Sequence, residues 1–374
     1  MKIAKIYGIE IKLHLSTLLI IGLIGFYAVN FYLSVALNPS LLEIILVGLG
    51  SGLIILFSIL IHELSHSIVA QKYGLKVSEI ELYLFGGVSK IEEEPTTPKS
   101  EILISLVGPL SSLIIGGIFV SIIILLPIAL PTFIFIILFY TGISNIGLAI
   151  FNLIPAFPMD GGRILRAFLW SRRDNIISAT KTASKVGHLF AYGLIAYGFI
   201  QMFLFGFLSG LWLVIIGYFL NSQTKQSYYE ILNETALSKI SARDMINMPK
   251  LEIPFDMLVS DALRNYFMLY KKPYFPVIQG DKVVGIIHIE DIKEIPLELR
   301  SNYIVGYLMR SISRFPFIDE KDSGKEALKK IRTSKEKPNL VIVKDKDDTI
   351  IGLIGKEELS LSLRFCQLNP EKCQ

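Results

Sequence analysis

The chain has 374 residues, 52% of them hydrophobic and 19% charged, against roughly 25% charged in an ordinary soluble domain. A net charge of +4, with no basic cluster interleaved with aromatics, argues against a nucleic-acid partner. Mean hydropathy is +0.54 and the charge is segregated: from residue 102 to 221 the acids are Asp160 and Asp174, whereas the chain after residue 228 reads as soluble protein. A polytopic α-helical membrane domain followed by a soluble domain is therefore predicted.

Met1 to His14 carries Lys2, Lys5 and Lys12, and no small-residue cleavage site closes the apolar run behind it, so the segment is not a cleaved signal peptide. Spans are predicted over 15–33, 44–70, 102–126, 132–151, 186–205 and, shortest of the six, 208–220. Residues 71–101 form a polar segment holding Glu79, Glu81, Glu92, Glu93, Glu94 and Glu101. Within it, Ile80 to Val88 alternates and then meets Gly86 and Gly87, which predicts a short strand whose backbone can be approached closely. The turns at 37–42, 127–131 and 206–207 carry no Lys or Arg, while Lys72, Lys76, Lys90, Lys99, Arg163, Arg166, Arg172, Arg173, Lys181 and Lys185 fall between the other span ends. The positive-inside rule then puts the N-terminus in the cytoplasm, and six spans return the C-terminus to it.

His62-Glu63-Leu64-Ser65-His66 lies in the second span, where Glu63 is the one acid between Ile44 and Ala70. Residues four apart share a helix face, so both imidazoles can reach one Zn²⁺ with Glu63 beside it as general base. Two histidines and a carboxylate in membrane-length hydrocarbon are expensive, and the default reading of such residues is functional. A catalytic zinc takes three protein ligands and keeps one open position. His14 and His188 flank predicted spans, where an imidazole often sits without a metal. Asp160 closes Asn152-Leu153-Ile154-Pro155-Ala156-Phe157-Pro158-Met159-Asp160-Gly161-Gly162, a stretch whose prolines and glycines break regular helix. Such backbone is tolerated at membrane depth where it lines a cavity. Its Asn152 amide can orient or polarise a scissile carbonyl.

The two motifs together, in this order and spacing, resemble the site-2 protease family of intramembrane zinc metalloproteases, over roughly residues 1–221. The resemblance implies that His62, His66 and Asp160 hold Zn²⁺, that Glu63 is the catalytic base and that Asn152 positions the substrate. It also implies that Gly86 and Gly87 belong to an edge strand, a membrane-associated β element that takes an extended substrate by β-augmentation. No large extracytoplasmic insertion is visible, which places the chain nearer the archaeal and sporulation-type branch.

Residues 222–240 read as a linker and 241–374 as the soluble domain. Tyr274 to Ile278 and Lys282 to Ile292 read as strand, turn, strand and the start of a helix. The pattern returns in Leu340 to Val343 and Thr349 to Leu359 about sixty-five residues later, an internal duplication. The pair resembles a tandem CBS module of the α/β class, with repeats near 241–298 and 303–364. That resemblance implies a pseudo-dimer that binds adenine nucleotide, ATP or AMP, with Asp291 on the ribose and Glu358 at the matching place. His288 and Lys356 stand where Thr or Ser is usual, which puts the nucleotide in doubt. A homo-oligomer formed through the pair is also admitted. Cys366 and Cys373 read as free thiols in a reducing compartment.

The expectation is thus a multi-pass cell-membrane zinc metalloendopeptidase that cleaves transmembrane segments of membrane proteins and is regulated through its cytoplasmic CBS pair. The rival is a CBS-gated metal transporter or channel using the same cluster. Glu63, poised beside the ligands instead of joining them, favours the hydrolase.

Overall fold

The computed structural model describes residues 2–83, 86–91, 94–126, 130–246, 251–334 and 336–368. Leu84 and Phe85 of the predicted strand, Glu92, Glu93, part of the turn at 127–131, and Cys373 lie outside them. The chain divides into two units, Met1–Ile231 and Leu232–Gln374.

The first unit opens as a sheet. Strands β1 (Lys2–Ile6) and β2 (Ile9–Leu13) form a hairpin about Tyr7 and Gly8, both at positive φ, the backbone that a two-residue hairpin turn requires. Next come α1 (Thr17–Val35) and α2 (Leu41–Lys72). Strands β3 (Val77–Tyr83) and β4 (Gly86–Ile91) follow, then α3 (Pro98–Leu125), α4 (Thr132–Leu153), α5 (Asp160–Arg173), α6 (Ile176–Phe205) and α7 (Phe207–Leu237). The sheet order is β1-β2-β3-β4, with β2 and β3 parallel and β3 and β4 antiparallel, so β4 is an edge. The single strand read from Ile80 to Val88 is therefore two strands, with Tyr83 opposite Gly86 and Leu82 opposite Gly87.

Among the described residues six helices are long and apolar enough to cross a membrane: α1, α2, α3, α4, α6 and α7. Their spanning stretches are strongly apolar, and many of their large side chains face outward: Phe203 is 89% exposed, as a lipid-facing residue should be. Small residues let the backbones approach. A Cβ at Gly25 of α1 would meet the Gly48 carbonyl of α2, one at Gly116 the Gly142 carbonyl of α4, and one at Gly198 the Gly210 carbonyl of α7. Local chemistry sets the helix starts. Ser40 and Glu43 form a capping box at α2, Thr97 caps α3 ahead of Pro98, and Asn175 caps α6. Helix α7 continues well past the apolar run at 208–220, through the predicted linker to Leu237.

Helix α5 is the largest departure from the sequence reading. Its stretch Asp160-Gly161-Gly162 begins a helix; the non-helical backbone is confined to the residues between Leu153 and Asp160. Gly161 and Gly162 let that helix start against the loop, since a Cβ at either would strike backbone between Leu153 and Phe157. The loop is buried at Ala156, Phe157 and Met159, and the Phe157 carbonyl accepts a 2.7 Å hydrogen bond from Thr224 of α7.

In the second unit, β5 (Ile253–Pro254), β6 (Tyr274–Gln279), β7 (Lys282–His288) and β8 (Arg310–Ser311) form one sheet. Strands β9 (Phe317–Asp319), β10 (Val341–Lys344) and β11 (Ile350–Ile354) form another. The duplication is explicit. In each sheet a parallel pair (β5 with β6, β9 with β10) is followed by an antiparallel strand (β7, β11) and then a helix, Ile289–Lys293 or Lys356–Leu368. Cys366 is buried and disulfide-bonded, contrary to the expected free thiol.

Candidate active site

Helix α2 presents His62 and His66 on one face, and the start of α5 presents Asp160 to them. The Nε2 atoms of the two histidines are 3.1 Å apart, and Asp160 Oδ2 lies 3.3 Å from His62 Nε2 and 3.2 Å from His66 Nε2. Among the described residues, these three make the one group of histidines and carboxylates able to hold a metal. Ligands at about 2.1 Å from a tetrahedral zinc stand about 3.4 Å from each other, so the triangle fits that ion with a fourth position left over. Burial pushes the Asp160 carboxyl up, but His66 and His62 outweigh it and hold it below the ordinary carboxylate range.

The far side of each imidazole is also held. His66 Nδ1 donates to the Ile104 carbonyl at 2.6 Å, which fixes the proton there and leaves the Nε2 lone pair for the cluster. His62 Nδ1 is 3.0 Å from Ser112 Oγ. Ile104 and Ser112 are both on α3, and between them Gly108 faces the ligands: a Cβ there would lie 2.8 Å from His62 Nε2 and nearer still to His66.

Glu63 stands off the triangle. Its Oε2 accepts a 2.8 Å hydrogen bond from Ser89 on β4, and a Cβ at Gly87 would collide with its side chain. Gly87 thus lets the edge strand lie directly against the carboxylate. A cavity of about 280 Å³ joins these parts; its walls include His62, Glu63, Gly86, Gly87, Asn152 and Arg163. Asn152 donates from Nδ2 to the Leu148 carbonyl of its own helix at 3.0 Å, and an amide nitrogen has a second N–H to give.

Behind the cavity Arg166 of α5, only 3% exposed, donates from Nε to Glu101 Oε1 at 2.7 Å and from Nη2 to Glu94 at 2.8 Å. Its guanidinium also lies over the Phe157 ring. This buried ion cluster pins α5, and with it Asp160, to α3.

The structure therefore brings together His62, Glu63, His66, Gly86, Gly87, Asn152 and Asp160, all read from the sequence. It leaves His14 against Ser16 and Tyr83, and His188 against Asn221, away from the cluster. Ser89, Gly108, Ser112, Arg163 and Arg166 are additions. Asp291, in the second unit, accepts from the His288 backbone N–H at Oδ2 and from Arg310 at Oδ1. Glu358 mirrors it, accepting from the Gly355 N–H and the Tyr274 hydroxyl.

Two imidazoles and a carboxylate aimed at one point, with a further carboxylate set between that point and an open strand edge, define a metallohydrolase built into a membrane bundle. Residues 51–136 and 128–195 match the profile of Peptidase family M50. Zinc metalloprotease MJ0392 of Methanocaldococcus jannaschii is 30% identical over 372 residues, 99% of this chain and 98% of that protein. The chain belongs to peptidase family M50, the site-2 protease family of zinc metalloproteases, and is a multi-pass membrane protein. A solved Site-2 Protease from the same organism is similar at 31% identity, covering 60% of this chain and 94% of that one with a TM-score of 0.42. A solved CBS domain of the bacterial CNNM/CorC family Mg²⁺ transporter covers 37% of this chain and 83% of its own, at 18% identity and a TM-score of 0.32.

Proposed function

We propose that this zinc metalloprotease cuts transmembrane segments of membrane protein substrates within the bilayer, using His62, His66 and Asp160 as zinc ligands and Glu63 as general base. The observation that carries the reading is the place of Glu63: outside the ligand triangle, in the cavity, and against the edge strand β4. A transporter's relay would draw Glu63 into the ion's coordination; a protease needs it beside the water and the peptide.

An extended substrate adds to β4 as a further strand, its main chain pairing with the edge at Gly86 and Gly87. The Asn152 amide donates to a substrate carbonyl and holds the scissile bond in the cavity. Zinc, when bound, supplies Lewis acidity toward water and the peptide carbonyl. Glu63 takes a proton from the attacking water and gives it to the leaving amine; the Ser89 hydroxyl keeps its carboxylate in place between the two tasks. With Lys72, Lys76, Lys90 and Lys99 at one set of span ends, the N-terminus and the second unit are assigned to the cytoplasm.

The second unit is proposed as the regulator, binding ATP or AMP at Asp291. The Arg310 ion pair at that carboxylate must open for a nucleotide to enter, and the coupling so gained is set by the affinity difference between open and closed arrangements. The reading as a protease is tested by incubating the purified chain with a single-span membrane substrate, with and without a zinc chelator. Cleavage inside the span that the chelator stops and added zinc restores is expected; a substrate left intact in both arms would refute it.

A further inference from the structure

Arg163 is in the wall of the cavity yet has no task in the chemistry above. It lies one turn into α5 from Asp160. Its side chain is 24% exposed, and among the described residues its one charge contact is Nε to Glu101 Oε1 at 4.0 Å, too long for a hydrogen bond. Glu101 is itself buried and taken up by Arg166. The charges explain why Arg163 stays. By formal charge Glu94, Glu101 and Arg166 sum to −1, and Arg163 brings the four, of which Glu101 and Arg166 are buried, to zero. The guanidinium is thus held electrostatically while its five N–H donors remain for the cavity.

An extended peptide turns its backbone groups alternately to its two edges. One edge pairs with β4. The carbonyls of the other edge face the remaining walls, where a low-dielectric cavity makes an unmatched carbonyl costly. Asn152 can serve one of them. Resting on the protease reading above, we propose that Arg163 is the second donor: its guanidinium fork binds a main-chain carbonyl of the substrate on the edge turned away from β4, beside the scissile bond. Glu101 acts through it as a positioning residue, setting the guanidinium at the cavity wall.

The test uses the full chain in lipid nanodiscs with a single-span substrate. Arg163→Met lowers kcat/KM roughly 10–100-fold, the worth of one or two charge-assisted hydrogen bonds, with zinc content unchanged. Arg163→Lys keeps the charge without the fork and recovers only part of the loss. The double variant Arg163→Met/Glu101→Gln restores neutrality; it stays as slow as Arg163→Met if the fork binds substrate, and recovers if Arg163 is only a counter-ion. A binding arm is independent of turnover: in a Glu63→Gln background, Arg163→Met weakens substrate affinity at least about 10-fold. Recovery in the double variant, or unchanged affinity in the binding arm, overturns the proposal. A wild-type chain that binds the substrate without cutting it would instead remove the protease reading, while the binding arm still decides Arg163.

Discussion

Gly108→Ala is the substitution whose effect follows most directly from the geometry. The added methyl carbon would lie 2.8 Å from His62 Nε2 and closer to His66 Nε2, whereas such atoms rest at about 3.5 Å or more. The His62 imidazole must give way by about 0.7 Å and the His66 imidazole by more, or α3 must move as a whole, and metal sites tolerate only about 0.2 Å in ligand position. Losing ligand support of this kind commonly costs ~10–100-fold in metal affinity, and displacing a ligand outright should exceed the upper end. Alanine improves helix propensity over glycine by about 1 kcal/mol, so unfolding is not the expected outcome. The assay is a zinc titration against a competing chelator, with helicity followed by circular dichroism. Gly117→Ala is the control, on the same helix with nothing within 4 Å of the new methyl. A Gly108→Ala protein with wild-type zinc affinity would refute the packing of α3 onto the ligands.

Three further outcomes are expected. Asp160→Ala should lower zinc content and cleavage together, whereas His188→Ala, whose imidazole bonds Asn221 at 2.6 Å, should change neither; metal analysis of the two variants reads this directly, and full zinc occupancy without Asp160 removes it from the site. In a background free of native cysteines, a cysteine at residue 39 should react with an impermeant reagent from outside and one at residue 96 should not, with the reverse pattern inverting the topology. Calorimetry on the full chain should detect ATP or AMP, weakened by Asp291→Ala and strengthened by Arg310→Ala, and a typical coupling of roughly 1–3 kcal/mol would move cleavage about 5–150-fold across the titration; silence in all three proteins rules out a nucleotide at Asp291.

What could be read from the sequence divides along a physical line. His62, Glu63 and His66 are legible because one helix fixes their relation, and Asp160 because acids are so scarce between residues 102 and 221. Gly108 and Ser112 are not, since their role depends on how α3 lies across α2, and glycine and serine are common in any membrane span. The N-terminal hairpin is within reach: Ile9-Glu10-Ile11-Lys12-Leu13 alternates at the strand period, but reading the lysines of this segment only against a signal peptide passes over it. Helix α7 defeats a hydropathy rule because its polar half, after Asn221, continues the same helix without the apolar signal. Helix α5 defeats a breaker rule because Gly161 and Gly162 serve close packing against the loop rather than an end to the helix. In the second unit the duplication is plain in the repeated strand pattern; the Arg310 pairing with Asp291 is not, since β8 and the helix that follows β7 come together only in the folded unit.

The central claim is that Glu63 performs proton transfer next to a metal it does not ligate, and Glu63→Gln measures it. The amide keeps the shape and the contact with Ser89 but cannot accept the proton. Cleavage of a single-span substrate should fall by ~10²–10⁴-fold while zinc, held by His62, His66 and Asp160, stays at one ion per chain. Turnover near that of the unaltered chain, or loss of the zinc together with the activity, would contradict the assignment.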